Sequence, residues 1–267
     1  MTDKKPSATM PGAGSTTLEI VLPTTMSPAV TKSPKNLLIF SKPKVGKTTL
    51  LASLPNCLLI DLENGSDYLA AMKLKANTIQ ELFAIEAAIL KAGRPYDYIA
   101  LDTITALEDL CIPYAEYMYS KSPMGANWFT PLTGGKAKHG TIINMANGAG
   151  YPWLRQAFGD VLKRINLLAP RVILLGHVKD TLLEKNGVSF EALDIQLTGK
   201  LKQSTTSKAD AIGYLVRKGN KNILSFKTQD EILCGARPEH LRNKEIIISE
   251  IDADGNIITH WDEIFID

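Results

Sequence analysis

The sequence is poor in cysteine, in charge of one sign and in long apolar runs. Its three cysteines, Cys57, Cys111 and Cys234, lie far apart and form no C-x-x-C pair. That spacing argues against disulfide frameworks and zinc sites. Cys57 and Cys111 sit in apolar runs, which predicts small buried hydrophobes in a reducing, cytoplasmic setting. Lysine plus arginine number 30 against 28 acidic residues, a net charge of +2. Whole-chain charge therefore gives no case for nucleic-acid binding, and such a surface must come from local lysine clusters. No apolar run reaches the roughly 18 residues that a membrane helix needs, so no membrane partner is expected. The opening stretch MTDKKPSATMPGAGSTT has no apolar segment of the kind a secretory signal carries.

What is present is 45% apolar side chains in 267 residues, enough for a substantial core in one large domain or two small ones. Residues 1 to about 33 are rich in Ser, Thr, Pro and Gly and predict a disordered arm. Strand and helix signals then alternate. NLLIF (36–40), CLLIDLEN (57–64), YDYIALD (96–102) and RVILLGH (171–177) read as strands. KTTLLASL, stopped by Pro55, reads as a helix, as does 78–93, with a Thr78/Glu81 capping box and Gly93 at its end. So do 103–120, with an interruption expected at Pro113, and 151–169 before Pro170. Residues 121–150 hold six glycines and predict a long functional loop. Turn signals at Asn186-Gly187, Gly219-Asn220 and Asp254-Gly255 predict three β-hairpins. The fold class is α/β: a mainly parallel sheet with helices on both faces, extended by C-terminal antiparallel hairpins.

SKPKVGKTT follows the first strand and opens the first helix. It nearly matches the phosphate-loop pattern G-x-x-x-x-G-K-[ST], with Ser41, Lys42, Pro43, Lys44, Val45, Gly46, Lys47 and Thr48 in the eight positions and Thr49 after them. The first position only turns the chain out of the strand, which a small residue such as Ser41 can do. Gly46 lets the backbone approach phosphate, Lys47 reaches the β- and γ-phosphates, and Thr48 ligates Mg²⁺. Some 50 residues on, Asp102 ends the third strand, where a carboxylate can complete the magnesium shell, followed by the Thr103 hydroxyl. Asp61 and Glu63 end the second strand and share a face by period-two alternation. A carboxylate there can activate a water. His177 ends the fourth strand, where a polar group can sense the γ-phosphate.

Together, SKPKVGKTTL, LIDLENG, YIALDTITALEDL, GYPWLRQAF and ILLGHVKD resemble the RecA-like P-loop ATPases. The closer likeness is to small phage-encoded members, the AAA-type nucleotide-binding proteins or Sak-type single-strand annealing proteins, over about residues 35 to 240. The resemblance implies one RecA-like ATPase domain over 34–267, with a hairpin extension from about 209. It implies ATP and Mg²⁺ as cofactors, Glu63 as catalytic base, Lys47 and His177 as catalytic partners, and Thr48 and Asp102 as metal residues. It also implies a homo-oligomer, ring or filament, in the host cytoplasm, acting in DNA recombination on single-stranded DNA, with a single-strand-binding protein as a further partner.

The sequence departs from the family at Ser41 and at His177, where recombinases often carry glutamine. Related hexamers use a Lys-x-Arg finger in trans. SFKTQ supplies Lys227 with glutamine in place of the arginine, and Arg237 is the other candidate. Lys42 fits the signature lysine of deviant Walker A proteins, but Pro43 and Lys44 replace the glycines of that class. DNA contacts are expected from Trp128, Lys136 and Lys138 in the 121–150 loop and from Lys200 and Lys202 in a second loop, 178–208. The alternative is a nucleotide-switched partner-binding protein of the loader or partition type. A third reading, a small-molecule kinase, would need an acceptor pocket and an arginine-bearing lid, for which the 121–150 loop is the candidate.

Overall fold

A computed structural model describes residues 22–126, 141–185, 188–228 and 232–266, with the backbone alone over 180–185 and 188–191. Contacts divide the chain into Met1–Val30 and Thr31–Asp267. Within the first unit, 22–30 form no helix or strand. The second unit holds the sheet.

In chain order the elements are β1 (Asn36–Ser41), α1 (Lys47–Ala52), β2 (Cys57–Asp61), β3 (Lys73–Lys75), α2 (Ile79–Lys91), β4 (Tyr98–Asp102) and α3 (Ile104–Ser120). There follow α4 (Tyr151–Ile165), β5 (Arg171–Lys185), β6 (Val188–Ile195), α5 (Lys200–Thr206), β7 (Ala211–Lys218) and β8 (Lys221–Ser225). The chain closes with β9 (Gly235–Ala236), β10 (Glu245–Ile251) and β11 (Ile257–Thr259).

The strands run in the order β11-β10-β8-β7-β1-β5-β4-β2-β3, with β6 on β5 and β9 on β7. β7, β1, β5, β4, β2 and β3 are mutually parallel, whereas β8, β10 and β11 add antiparallel pairs. This is the expected α/β architecture, a mainly parallel sheet extended by C-terminal antiparallel strands. All three predicted hairpins are present, as β5/β6, β7/β8 and β10/β11.

Period-two alternation sorts the apolar strand residues into two layers. Leu38, Phe40, Ile60, Leu101 and Leu174 pack with α2, α3 and α4 on one face. Leu37, Ile39, Leu59 and Leu175 pack with Leu50 and Leu51 of α1 and with the C-terminal Trp261 and Phe265 on the other. Each such side chain contributes about 1.5–3 kcal/mol by leaving water, so Phe40→Ala at the centre would cost about 3–5 kcal/mol. The cysteines are buried, and burial pushes all three thiols up to about 12. No described helix is long and apolar enough to cross a membrane.

Several boundaries differ from the expected ones. α3 runs unbroken through Pro113. Pro113 and Asp109, whose carbonyl loses its helical donor, are both exposed, so that carbonyl faces solvent. α4 ends at Ile165, capped by Asn166, well before Pro170. β5 does not stop at His177 but continues to Lys185. Gly176 permits the hairpin that follows, because a Cβ there would lie 2.8 Å from Ile195 Cδ1. Within the second loop, 178–208, the helix α5 appears where one buried leucine, Leu201, among serines and threonines gave no periodic signal.

Candidate nucleotide site

Parallel pairing brings the C-terminal ends of β1, β4 and β2 to one edge of the sheet, beside His177 in the middle of β5. The register places Ser41 beside His177 and Asp61 beside Asp102. The loop from Ser41 to Lys47 leaves this edge. Gly46 caps α1 with φ 102°, a conformation that an L side chain resists. α1 has no side-chain N-cap and no acidic residue in its first turn. Its free N–H groups and positive end are left for an anion.

Lys47 is buried, and its Nζ donates to Ser41 Oγ at 3.1 Å. Ser41 Oγ in turn donates to the Lys42 carbonyl at 2.8 Å. Serine in the first loop position therefore does more than turn the chain: its hydroxyl holds the lysine ammonium. Burial pushes Lys47 below the usual lysine range, against the pull of Asp102 and then Glu63. The Thr48 hydroxyl donates to Asp102 Oδ2 at 2.6 Å. Burial pushes the Asp102 carboxyl up, Thr48 opposes this, and Glu63 adds to it. A desolvated carboxylate short of donors, beside a hydroxyl, suits a small hard cation whose other ligands are water and phosphate oxygens. Thr48 and Asp102 are the residues here that could hold a Mg²⁺ ion.

Glu63 lies two residues past the end of β2, and strand alternation does not govern it. Asp61, at the strand end, is 1% exposed and accepts from Glu63 N, Gly65 N, Ser66 N and Ser66 Oγ. It ties the turn that presents Glu63. Asp61 and Glu63 are thus not equivalent carboxylates on one face, because the chain turns between them. Glu63 Oε1 accepts from Thr103 Oγ1 at 2.5 Å and faces His177 Nε2 at 2.9 Å. The Thr103 hydroxyl also accepts from Ala106 N, capping α3, and the Asp102–Thr103 peptide is cis. His177 Nδ1 is buried without a partner among the described residues. Lys47, Thr48, Asp102, Thr103, Glu63 and His177 therefore form one cluster.

A family model described as an AAA domain matches residues 33–237. The chain belongs to the AAA domain family. Among solved structures it is similar to the RadB recombinase at 13% identity and a TM-score of 0.43, covering 85% of this chain and 91% of that one. A KaiC-like protein from Pyrococcus horikoshii gives 12% and 0.41, covering 85% and 89%. Flagellar accessory protein FlaH from Methanocaldococcus jannaschii gives 13% and 0.38, covering 85% and 89%. No curated protein matches significantly.

The AAA domain places the other expected residues apart from this cluster. Lys227 pairs with Glu245 at 3.3 Å. Arg237 pairs with Asp210 at 3.0 Å, near the start of β1. Both are exposed pairs, worth at most about 1 kcal/mol. Lys202 pairs with Asp194, whereas Lys200 opens α5 exposed. Trp128, Lys136 and Lys138 lie outside the described residues. Sequence reading missed Asn222, Arg217 and Ser249, which line a cavity of about 90 Å³ with Val45, Gly46 and Thr49. Their signal was weak: polar residues on late hairpin strands, remote in sequence from the loop.

Proposed function

We propose that this AAA domain binds and hydrolyses ATP with Mg²⁺ in the cluster at the sheet edge. The observation that carries the reading is the joining of three motifs from separate strands: Lys47 held by Ser41, Thr48 bonded to Asp102, and Glu63 bonded to Thr103 and His177. Lys47 would neutralise the β- and γ-phosphates, and Thr48 and Asp102 would hold the metal. Mg²⁺, when bound, offsets charge on the phosphate oxygens. Glu63 Oε1 accepts from Thr103, and His177 Nε2 faces both carboxylate oxygens, at 2.9 Å and 3.2 Å; this carboxylate would take the proton of the attacking water. The water oxygen bonds to the γ-phosphorus as the bond to the β–γ bridging oxygen breaks, giving ADP and phosphate. His177, on β5, would report the state of the γ-phosphate to the β5/β6 hairpin.

We propose further that hydrolysis acts on single-stranded DNA in a homo-oligomer with nucleotide between subunits, as in the phage annealing ATPases the sequence resembles. Exposed Lys200 on α5 supports this. The Lys202–Asp194 pair favours the alternative, a nucleotide switch for a protein partner, because it neutralises a cation that DNA would need. Lys47→Ala should weaken ATP binding by about a hundredfold or more, read with a fluorescent nucleotide. Glu63→Gln should bind ATP and hydrolyse it about a hundredfold or more slowly; hydrolysis at the wild-type rate would remove Glu63 from the base role. ATPase rates with and without single-stranded DNA separate the two readings. A rate indifferent to DNA, with no gel shift at low salt, leaves the partner switch.

A further inference from the structure

A cavity of about 460 Å³ lies between α4, α5 and the start of β1. Asn36 opens β1 and lines it, whereas Ser41 ends that strand at the phosphate loop. At about 3.3 Å per residue, five residues put the two sites roughly 17 Å apart. The floor is apolar, with Leu38, Leu162 and Leu174.

Two of its lining residues carry buried polar atoms without partners among the described residues: Asn166 Oδ1 and Thr205 Oγ1. Thr205 is 4% exposed. Helical hydroxyls ordinarily return to a carbonyl one turn back, and its neighbours do so. Ser204 donates to Leu201 O at 2.9 Å, Thr206 to Lys202 O at 2.9 Å and Ser207 to Ser204 O at 3.2 Å. Thr205 alone in this run leaves its hydroxyl unspent. Asn166 caps the end of α4 through its backbone N–H and keeps its side-chain oxygen unpaired. Two unpaired buried polar groups on one cavity are costly in an empty protein. At the rim stand Arg155, Lys163 and Lys208 against Asp160. None of the three cations has a carboxylate partner among the described residues.

We propose that this cavity binds a small amphipathic anion. Its apolar body would cover the leucines, a hydroxyl or N–H would meet Asn166 Oδ1 and Thr205 Oγ1, and its acidic group would sit among the rim cations. The site is separate from the nucleotide cluster, so both ligands bind at once.

The probe is 1-anilinonaphthalene-8-sulfonate, which joins an aromatic body, an N–H donor and a sulfonate. The full chain should give a saturable fluorescence rise that ATP does not displace. Gly159 lines the cavity, and a Cβ there meets nothing within 4 Å. Gly159→Phe should fill the space and weaken the probe about tenfold or more, with ATP binding unchanged. Thr205→Val keeps the shape and removes the hydroxyl. It should weaken the probe several-fold without lowering the melting temperature of the free protein, because no bond is lost. It also decides the matter if Gly159→Phe fails to fold. A rise that does not saturate, is absent, or survives both substitutions means surface adsorption or a water-filled cavity and overturns the site. So does a Thr205→Val protein that melts lower and binds the probe as before.

Discussion

The tips of β2 and β4 face each other in register, Asp61 opposite Asp102, and the two carboxylates have opposite chemistry. Both are almost completely buried, at 1% and 6% exposure. Burial raises the pKa of each. At Asp61 the Ser66 hydroxyl and the N–H groups of Ser66, Glu63 and Gly65 outweigh it, holding the carboxyl below the usual range. At Asp102 the main opposing group is one hydroxyl, that of Thr48, with Lys47 adding to it; burial wins and the carboxyl is pushed up. Donor supply separates the two, together with heavier desolvation and the nearby Glu63 carboxylate at Asp102. The satisfied carboxylate organises a turn. The unsatisfied one is left with coordinating capacity, as the proposed metal site requires.

Asp102→Asn should break the contrast on the side of function. ATP hydrolysis should fall by about a hundredfold or more, since the anionic charge of the proposed metal ligand is lost. The nucleotide-free protein should be no less stable and should gain stability at neutral pH. The sign follows from the raised pKa. In the folded state Asp102 holds its proton above the unfolded value of 3.8, so its favourable contribution is complete below 3.8 and is lost as pH rises through the folded value. Denaturant titrations across that range should show the variant's advantage growing with pH. A variant less stable than wild type at pH 7 would make Asp102 structural, like its neighbour.

Asp61→Asn should do the reverse. An amide nitrogen would face donors that now meet a carboxylate, at a cost of about 2–4 kcal/mol. Because the folded pKa lies below 3.8, this contribution is present above 3.8 and is lost as pH falls through the folded value. Urea midpoints against pH read it directly. Hydrolysis should also drop through misplacement of Glu63, whose backbone N–H is one of the donors. A midpoint within error of wild type would show that the turn holds without Asp61.

The strands that carry this contrast were legible because buried parallel strands are written as short apolar runs, and the loop because GKT opens a helix directly after one. Asp102 was found by its distance from that loop. The difference between Asp61 and Asp102 was not legible. It depends on where the chain turns after β2 and on which N–H groups converge there, and period-two spacing carries no trace of a strand that stops at Asp61. β3, three residues long, and α5, with one buried leucine, fell below the periodicity that marks an element. Asn222 and Ser249 reach the loop only through the antiparallel extension, a contact between distant segments that no local pattern encodes.

His177 is the finest test of the β2–β4 comparison, because it stands on β5 beyond Asp102 yet bonds to the glutamate that Asp61 positions. Its Nε2 lies 2.9 Å from Glu63 Oε1 and its Nδ1 has no partner among the described residues. With Nε2–H as donor, the ring spends one nitrogen and buries the other unused. Glutamine offers the same donor from its amide and can place its oxygen elsewhere. His177→Gln should therefore keep ATP binding and lower kcat only a few-fold, whereas His177→Ala, which removes the donor, should lower kcat about tenfold. Stopped-flow binding and steady-state hydrolysis on both variants separate the effects. Equal losses in the two would mean that the imidazole acts through its shape in the β5 packing and not through its bond to Glu63.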